Sequence, residues 1–591
     1  MSKSEDSFVS QKKSISLSDQ PVVRTNVESE LDSNKGADRA SLSLRPRFGF
    51  LTRRPFIVAL VLACVVLFAH YVRVADYGFY EDDYWGIVPW LKTPPTELWE
   101  GTISDFETWP QGRPLNHALP PWFSRLGYHL AGVQGIYFLG FLIHSLNAAL
   151  IYLLLRRWLS HWGAALAGFL FVLLPLDTTR ILLLHNAHIH TSLTFLLIAL
   201  LINRTRYWIA SHPIAALSLL SYETAFLPFV VFPLFFAERG KRIVRWLVHL
   251  AGCSTVLLIV FGIRLSLGED RVKSVMSGPA ETLWRMLSSM WIGPETGLKI
   301  IGRAIFKAPH AQAPFAFLFA GLVAVLLVFL LRILNEPPLP GNAPDRRRYL
   351  AVLLGGLASW IFAYALTLTN YPPTQVTGRP TSTHVAAVFG LACAIAAATT
   401  YLRSLNRPAR ITVTAAVTVL VALLTLYSFR VQAGFAIAWQ QERLFWKGVV
   451  NLCPDITPKT RIFLTGTEPK QNEFVLTNSW ADPLVLENVF TTTGTSDVPL
   501  LFYFDGLARF ADIRFENGQV TWKPFFWGTE REVLDRADVI ILRDDGTAIT
   551  RINQLQIPGI PFPIQGKPIA TPQEPLYPEK LTSFGRFLLE P

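Results

Sequence analysis

About eleven separate runs of apolar residues constrain this chain more than anything else in it. They fall near 56–72, 136–155, 163–176, 187–202, 208–220, 226–236, 247–265, 314–334, 351–368, 384–401 and 411–429. Most approach the ~20 residues a helix needs to cross a hydrocarbon core. Lipid offers backbone N–H and C=O groups no partners, so runs of this kind must satisfy their own hydrogen bonds as helices. The expectation is a polytopic α-helical membrane protein with about eleven transmembrane helices. Composition agrees, since 51% of the 591 residues are hydrophobic and only 16% are charged.

The net charge of +11 does not call for nucleic acid, because the basic residues form short clusters between apolar runs. That is the positive-inside pattern. Arg45, Arg47, Arg53 and Arg54 precede the first run and place the N-terminus in the cytoplasm. Arg156, Arg157, Arg204, Arg206, Arg239, Arg245 and 346–348 mark further inner loops, whereas the short outer loops hold Arg180 and Arg379. An odd number of crossings then puts the C-terminus outside. The missing disulfide framework and retrieval signal point to a bacterial inner membrane.

Residues 1–54 are rich in Ser, Asp, Glu and Lys and are expected to form a disordered cytoplasmic tail. The membrane domain spans 55–430, with long outer loops at 74–133 and 266–312. In the second loop, Leu283, Trp284, Leu287, Met290 and Trp291, then Leu298, Ile301 and Ile305, have helical spacing. They predict two amphipathic helices lying in the interface, separated at Gly293-Pro294, with Lys299, Arg303 and Lys307 on the wet side. Residues 431–591 turn polar and read as a mixed α/β extracytoplasmic domain, with a helix near 439–450 and strands near 461–464, 500–504 and 539–542. Cys64, Cys253 and Cys393 lie in apolar runs and Cys453 stands alone, so no CxxC metal site is available.

The chemistry gathers at the outer ends of the runs. In 79–85, FYEDDYW, the acids Glu81, Asp82 and Asp83 follow the first run and sit among aromatics suited to the membrane–water interface. Crowded carboxylates raise one another's pKa toward the range of a general base, and they also suit a cation or a substrate. A solvated acidic turn would use the same residues. Arg113, in Gln111-Gly112-Arg113-Pro114-Leu115, offers a guanidinium for a phosphate, or a structural cation in a rigid turn. His185 and His188, at i and i+3, share one helical face, which suits cavity lining better than zinc, since no local acid or cysteine completes a set. Glu223 stands between two apolar runs, and an ionisable group near membrane depth is a functional candidate. Arg379 begins the approach to a late run, where it could neutralise a phosphate leaving group.

Together these features resemble the GT-C superfamily of integral-membrane glycosyltransferases, nearest the protein O-mannosyltransferase and aminoarabinose-transferase-like branches. The acidic doublet after the first run, the Trp-rich loop ending in Gly-Arg-Pro-Leu, the glutamate of Ser221-Tyr222-Glu223-Thr224-Ala225 and the late Arg379 carry the resemblance. It implies a polyprenyl-phosphate sugar as donor, and a glycan, lipid or protein acceptor at the outer membrane face. It also implies inversion at the anomeric carbon, and Asp82 or Asp83 as base. Glu81, Arg113, His185, His188, Glu223 and Arg379 would then line the substrate site. No cofactor is required, although a divalent cation could join the acids. Two other readings are a polymerase or ligase of lipid-linked glycans and a non-catalytic lipid or glycan transporter. The first places its basic clusters in a late outer loop, and the second breaks its helices near the bilayer centre.

Overall fold

The computed structural model describes residues 53–236, 242–310, 314–334, 346–366 and 373–457 of the helical part. Beyond it the described residues are 459–466, 473–475, 482–490, 500–503, 511–516, 518–524, 531–557, 560–568 and 581–590. The expected tail over 1–52 lies outside them.

Each of the eleven apolar runs overlaps a described helix. Seven described helices are long and apolar enough to cross a membrane: Arg54–Asp76, Pro114–Leu155, Leu183–Asn203, Ile243–Ser266, Pro314–Ile333, Arg379–Leu405 and Arg407–Leu452. His161–Leu173, Trp208–Ser221 and Glu223–Phe235 are apolar but shorter, and Arg346–Phe362 has 17 residues. One of the short ones, His161–Leu173, packs inside the bundle. Every residue from Trp162 to Leu173 is buried, so this helix is apolar all round because protein surrounds it.

Three local features set the site's frame. Helix Pro114–Leu155 opens with proline at its first position, where a missing N–H costs nothing. It reverses at Ala131–Gly132, where Gly132 has φ 61°. A Cβ on Gly127 would stand 2.5 Å from the Ile136 Cα, a contact that a straight helix nine residues long could not make. The first outer loop is therefore partly helical, with Pro95–Thr108 and the arm before the reversal folded over the bundle end. Within Leu183–Asn203, the turn Asn186–His190 is a π-helix, a widening common at functional sites.

Two expectations need correction. The segment after 279 is one helix, Pro279–Lys307, running through Gly293-Pro294 rather than breaking there. Gly293 is used for close packing, since a Cβ would sit 2.4 Å from the Tyr364 ring. Ser289, Gly293, Thr296, Gly297, Ile300 and Ala304 face protein, while Trp284 and Trp291 stay 70% and 75% exposed, as an interfacial helix requires. Lys299 is exposed, and Arg303 and Lys307 are half-buried, where both bind Glu473. The change to a polar domain at 430/431 is likewise no chain break. Helix Arg407–Leu452 is continuous for 46 residues, capped by Asn406, and runs through two interior glycines, Gly434 and Gly448. At 1.5 Å per residue it reaches roughly 70 Å, more than twice a hydrocarbon core.

The expected β-like runs fall in strands Arg461–Gly466, Leu500–Tyr503 and Val539–Asp544. The first pairs in parallel with the other two, and Ile549–Ile552 adds an antiparallel edge to Val539–Asp544. Ile462, Leu464, Ile540 and Leu542 pack on the main core and Phe463, Val539 and Ile541 on a second one, so both sheet faces are covered.

Candidate functional site

The acidic triplet is built into the protein from several sides. Gly78 allows the Trp439 ring to lie where a Cβ would be, about 2 Å away. The Tyr137 hydroxyl donates to Gly78 O at 2.5 Å, and Tyr80 donates to Phe435 O at 3.0 Å. Tyr84 donates to Phe79 O at 3.0 Å, and Asn488 donates to Tyr84 O at 3.1 Å. The long helix, the part of Pro114–Leu155 after its reversal and the C-terminal segment thus clamp this short stretch together. Glu81 takes φ 48°. Among the described residues, the other non-glycines with positive φ are Trp109 (47°) and Gln111 (53°), which flank the Gly112-Arg113 turn. Backbone strain of this kind costs ~1–3 kcal/mol and gathers where function over-determines the structure. Here it marks both motifs.

The three acids have separate environments. Asp83 is fully buried and accepts the Leu184 N–H at 2.8 Å and the Tyr80 N–H at 3.1 Å. Burial pushes its carboxyl up to about 7, against the pull of those N–H groups. Asp82 accepts from Arg379 Nη1 at 2.8 Å and has His185 Nε2 at 3.9 Å. Burial alone would raise Asp82, but the Arg379 charge and the neighbouring His185 hold it well below the usual carboxylate range. Glu81 lies 3.5 Å from Arg379 Nε. The Asp82 side chain is 11% exposed and that of Arg379 28%, so their pair is the reachable edge of the cluster.

Arg379 is aimed by its own loop. Gly378, at φ 77°, donates its N–H to Thr178 Oγ1 at 3.0 Å, and Thr178 N–H donates to Thr381 Oγ1 at 3.0 Å.

Arg113 and Glu223 form a second cluster. Arg113 Nη2 meets Glu223 Oε2 at 2.6 Å, and its guanidinium lies 4.9 Å from the Tyr222 ring centre. Arg264 bridges Glu223 (3.3 Å) and Glu269 (3.0 Å). Gly112 lets it in, because a Cβ there would be 2.2 Å from Arg264 Nε. Two cations and two acids alternate, each compensating its neighbours. Tyr222 lies within electrostatic reach of Arg379, and His188 within reach of Asp82, His185, His117 and Arg113, so the two clusters face one another.

All eight residues expected from the sequence therefore meet at one end of the bundle. His185 and His188 share a face, with ring centres 5.8 Å apart. His190 turns inward to Asp177 (3.4 Å) and the His144 ring (4.4 Å). Arg180 pairs with Asp177 at 3.4 Å, as their spacing suggests. Arg264, Glu269 and Tyr222 were not anticipated. The available signal was a cation in the last turn of an outer-ending apolar run, with an acid five residues on.

Among the described residues, His212, His249 and Cys253 are grouped closely enough to share a metal ion, their ligand atoms lying within 4.8 Å. However, His212 Nδ1 and Nε2 meet the carbonyls of Ile209 and His249 at 3.0 and 3.3 Å, and His249 Nε2 meets those of Phe229 and Val230 at 3.2 Å. A nitrogen donating to a carbonyl has no lone pair for a metal.

Residues 116–264 match the family model described as dolichyl-phosphate-mannose-protein mannosyltransferase. The resemblance read from the sequence is borne out over that stretch, which carries His185, His188, Glu223 and Arg264. No curated protein and no solved structure gives a significant match to the chain.

Proposed function

We propose, starting from that family match, that this chain is a GT-C-type membrane glycosyltransferase. It moves a mannosyl or related sugar from a polyprenyl-phosphate donor to an envelope acceptor at the extracytoplasmic face. The observation that carries this reading is the Asp82–Arg379 pair, a carboxylate and a guanidinium 2.8 Å apart at the reachable edge of the cluster.

In the proposed reaction an Asp82 oxygen accepts the proton of the acceptor hydroxyl as that oxygen bonds to the anomeric carbon. The bond from that carbon to the phosphate oxygen breaks, and the polyprenyl phosphate leaves with the electron pair toward Arg379. Attack opposite the phosphate inverts the centre. An arriving phosphate competes with Asp82 for Arg379. The carboxylate then loses part of its counter-charge and becomes more basic when the acceptor needs it. Asp83, bound to two backbone N–H groups, fixes the loop rather than reacting. Arg113, held by Glu223, and the His185–His188 pair line the cavity.

The test is mass spectrometry of glycolipid, polysaccharide and glycoprotein from a deletion strain complemented with wild type or Asp82→Asn. One sugar absent in the deletion and in the variant is expected. Full restoration by Asp82→Asn would remove the base from this reading.

A further inference from the structure

At the end of the bundle remote from the acids lies a cavity of about 430 Å³. Four arginines line it, each from a different part of the chain: Arg157, Arg204, Arg245 and Arg348. Trp158, Trp208 and Trp246 supply aromatic walls, and Leu154, Leu200, Asn203, Phe232 and His249 are among its other lining residues. None of its described lining residues is an acid. It shares two helices with the candidate active site. Leu183–Asn203 runs from His185 to the cavity, and Ile243–Ser266 carries Arg245 near one end and Arg264 near the other. Either path spans roughly 30 Å, the thickness of a hydrocarbon core.

Two of the arginines, Arg204 and Arg245, are set in place by neighbouring groups. Arg204 stacks on Trp158, its guanidinium 3.4 Å from the ring centre, and donates to Leu154 O at 2.5 Å. Arg245 donates to Asn203 O at 2.6 Å and lies 5.8 Å from the Trp208 ring. A guanidinium has five donors, so one carbonyl can hold it while others serve a ligand. Burial and then the neighbouring Arg157 charge push Arg204 down to about 10, which reflects like charges without a nearby acid. Beside Arg245 on the same helix, Ile243, Val244 and Leu247 are exposed. That apolar strip leads from the cavity along a surface suited to acyl chains.

We propose that this cavity binds the phosphate of an anionic phospholipid headgroup in the leaflet opposite the catalytic face. Arginines recognise phosphate oxygens through paired N–H donors, and basic pockets between helices near the inner leaflet suit such headgroups. The tryptophans match the interfacial depth. A soluble phosphate compound would use the same contacts, so the test separates the two sources.

The protein would be released into nonionic detergent with equal phosphatidylglycerol and phosphatidylcholine, and its retained lipids counted by native mass spectrometry. Wild type is expected to keep phosphatidylglycerol. Arg204→Gln/Arg245→Gln should lose it by about 30-fold, the effect of two headgroup contacts. Arg157→Gln/Arg348→Gln, both exposed and least able to disturb folding, should lower it similarly. Arg206→Gln/Arg346→Gln, exposed arginines outside the cavity lining, should leave retention unchanged. Equal retention in all variants, or equal loss in the Arg206/Arg346 pair, would reduce the cavity to diffuse surface charge and overturn the proposal. Heat protection of wild type by inorganic phosphate as large as that by short-chain phosphatidylglycerol would overturn the lipid assignment and leave a soluble phosphate site.

Discussion

Asp82→Asn and Asp83→Asn change adjacent acids by the same atom, yet the structure assigns them opposite consequences. Asp82 faces the reachable edge of the cluster, and its partner Arg379 also has Glu81 at 3.5 Å. Removing the Asp82 charge therefore leaves the guanidinium with a nearby acid, and the fold should survive. A positioned general base contributes ~10²–10⁴ in rate, equivalent to about 3–5 kcal/mol of barrier. Asp83 has two N–H groups to satisfy, from Leu184 and Tyr80. Asparagine offers one carbonyl oxygen, so one buried N–H loses its acceptor, at ~1–3 kcal/mol of stability. The expected pattern is a turnover loss of 10²-fold or more for Asp82→Asn with normal thermal unfolding. For Asp83→Asn it is earlier unfolding with turnover per folded molecule within about tenfold of wild type. The assay is release of polyprenyl phosphate from labelled polyprenyl-phosphate mannose by membranes containing the native acceptor, normalised to folded protein. A folded Asp83→Asn that loses as much turnover as Asp82→Asn would refute the division of roles.

Further expectations follow from the same geometry. Arg379→Gln removes the charge that holds Asp82 low, so the acidic limb of the rate–pH profile should move to higher pH while the donor KM rises; an unchanged limb would mean the pair does not set the base. Asp83 binds its proton more tightly folded, at about 7 against an ordinary 3.8, so that stability is present below about pH 4 and lost as pH rises through 7. The difference amounts to about 4 kcal/mol, and thermal unfolding from pH 5 to 8 should fall less steeply in Asp83→Asn than in wild type. Gly112→Ala meets a left-handed φ of 70° and the Arg264 guanidinium at 2.2 Å. It should cost at least ~1–2 kcal/mol and weaken turnover by disturbing Arg264, whereas Gly101→Ala, in a helix interior with open space around it, should leave turnover unchanged and stabilise by ~0.5–1 kcal/mol in the same melts.

Much of this arrangement was legible in one dimension. Apolar runs dictate helices because lipid offers the backbone no partners, and each of the eleven runs overlaps a described helix. The motifs around Asp82, Arg113, Glu223 and Arg379 were recognisable because charged groups beside apolar runs are exceptional in sequence. Helix continuity was less legible. Gly293-Pro294 and the change in composition near 430 looked like breaks. Gly293 packs against Tyr364 within one continuous helix, and helix Arg407–Leu452 runs through the second. Partnerships were not legible at all. Asp82 and Arg379 stand 297 positions apart, and Gly112 admits Arg264 to the corner where Arg113 meets Glu223. Which acid is buried on backbone N–H groups and which faces a guanidinium depends on what surrounds it in space. Sequence by itself determined where ionisable groups meet the membrane's edge. Only tertiary structure decided which of them compensate one another, because desolvation and Coulomb attraction depend on distances that chain spacing does not contain.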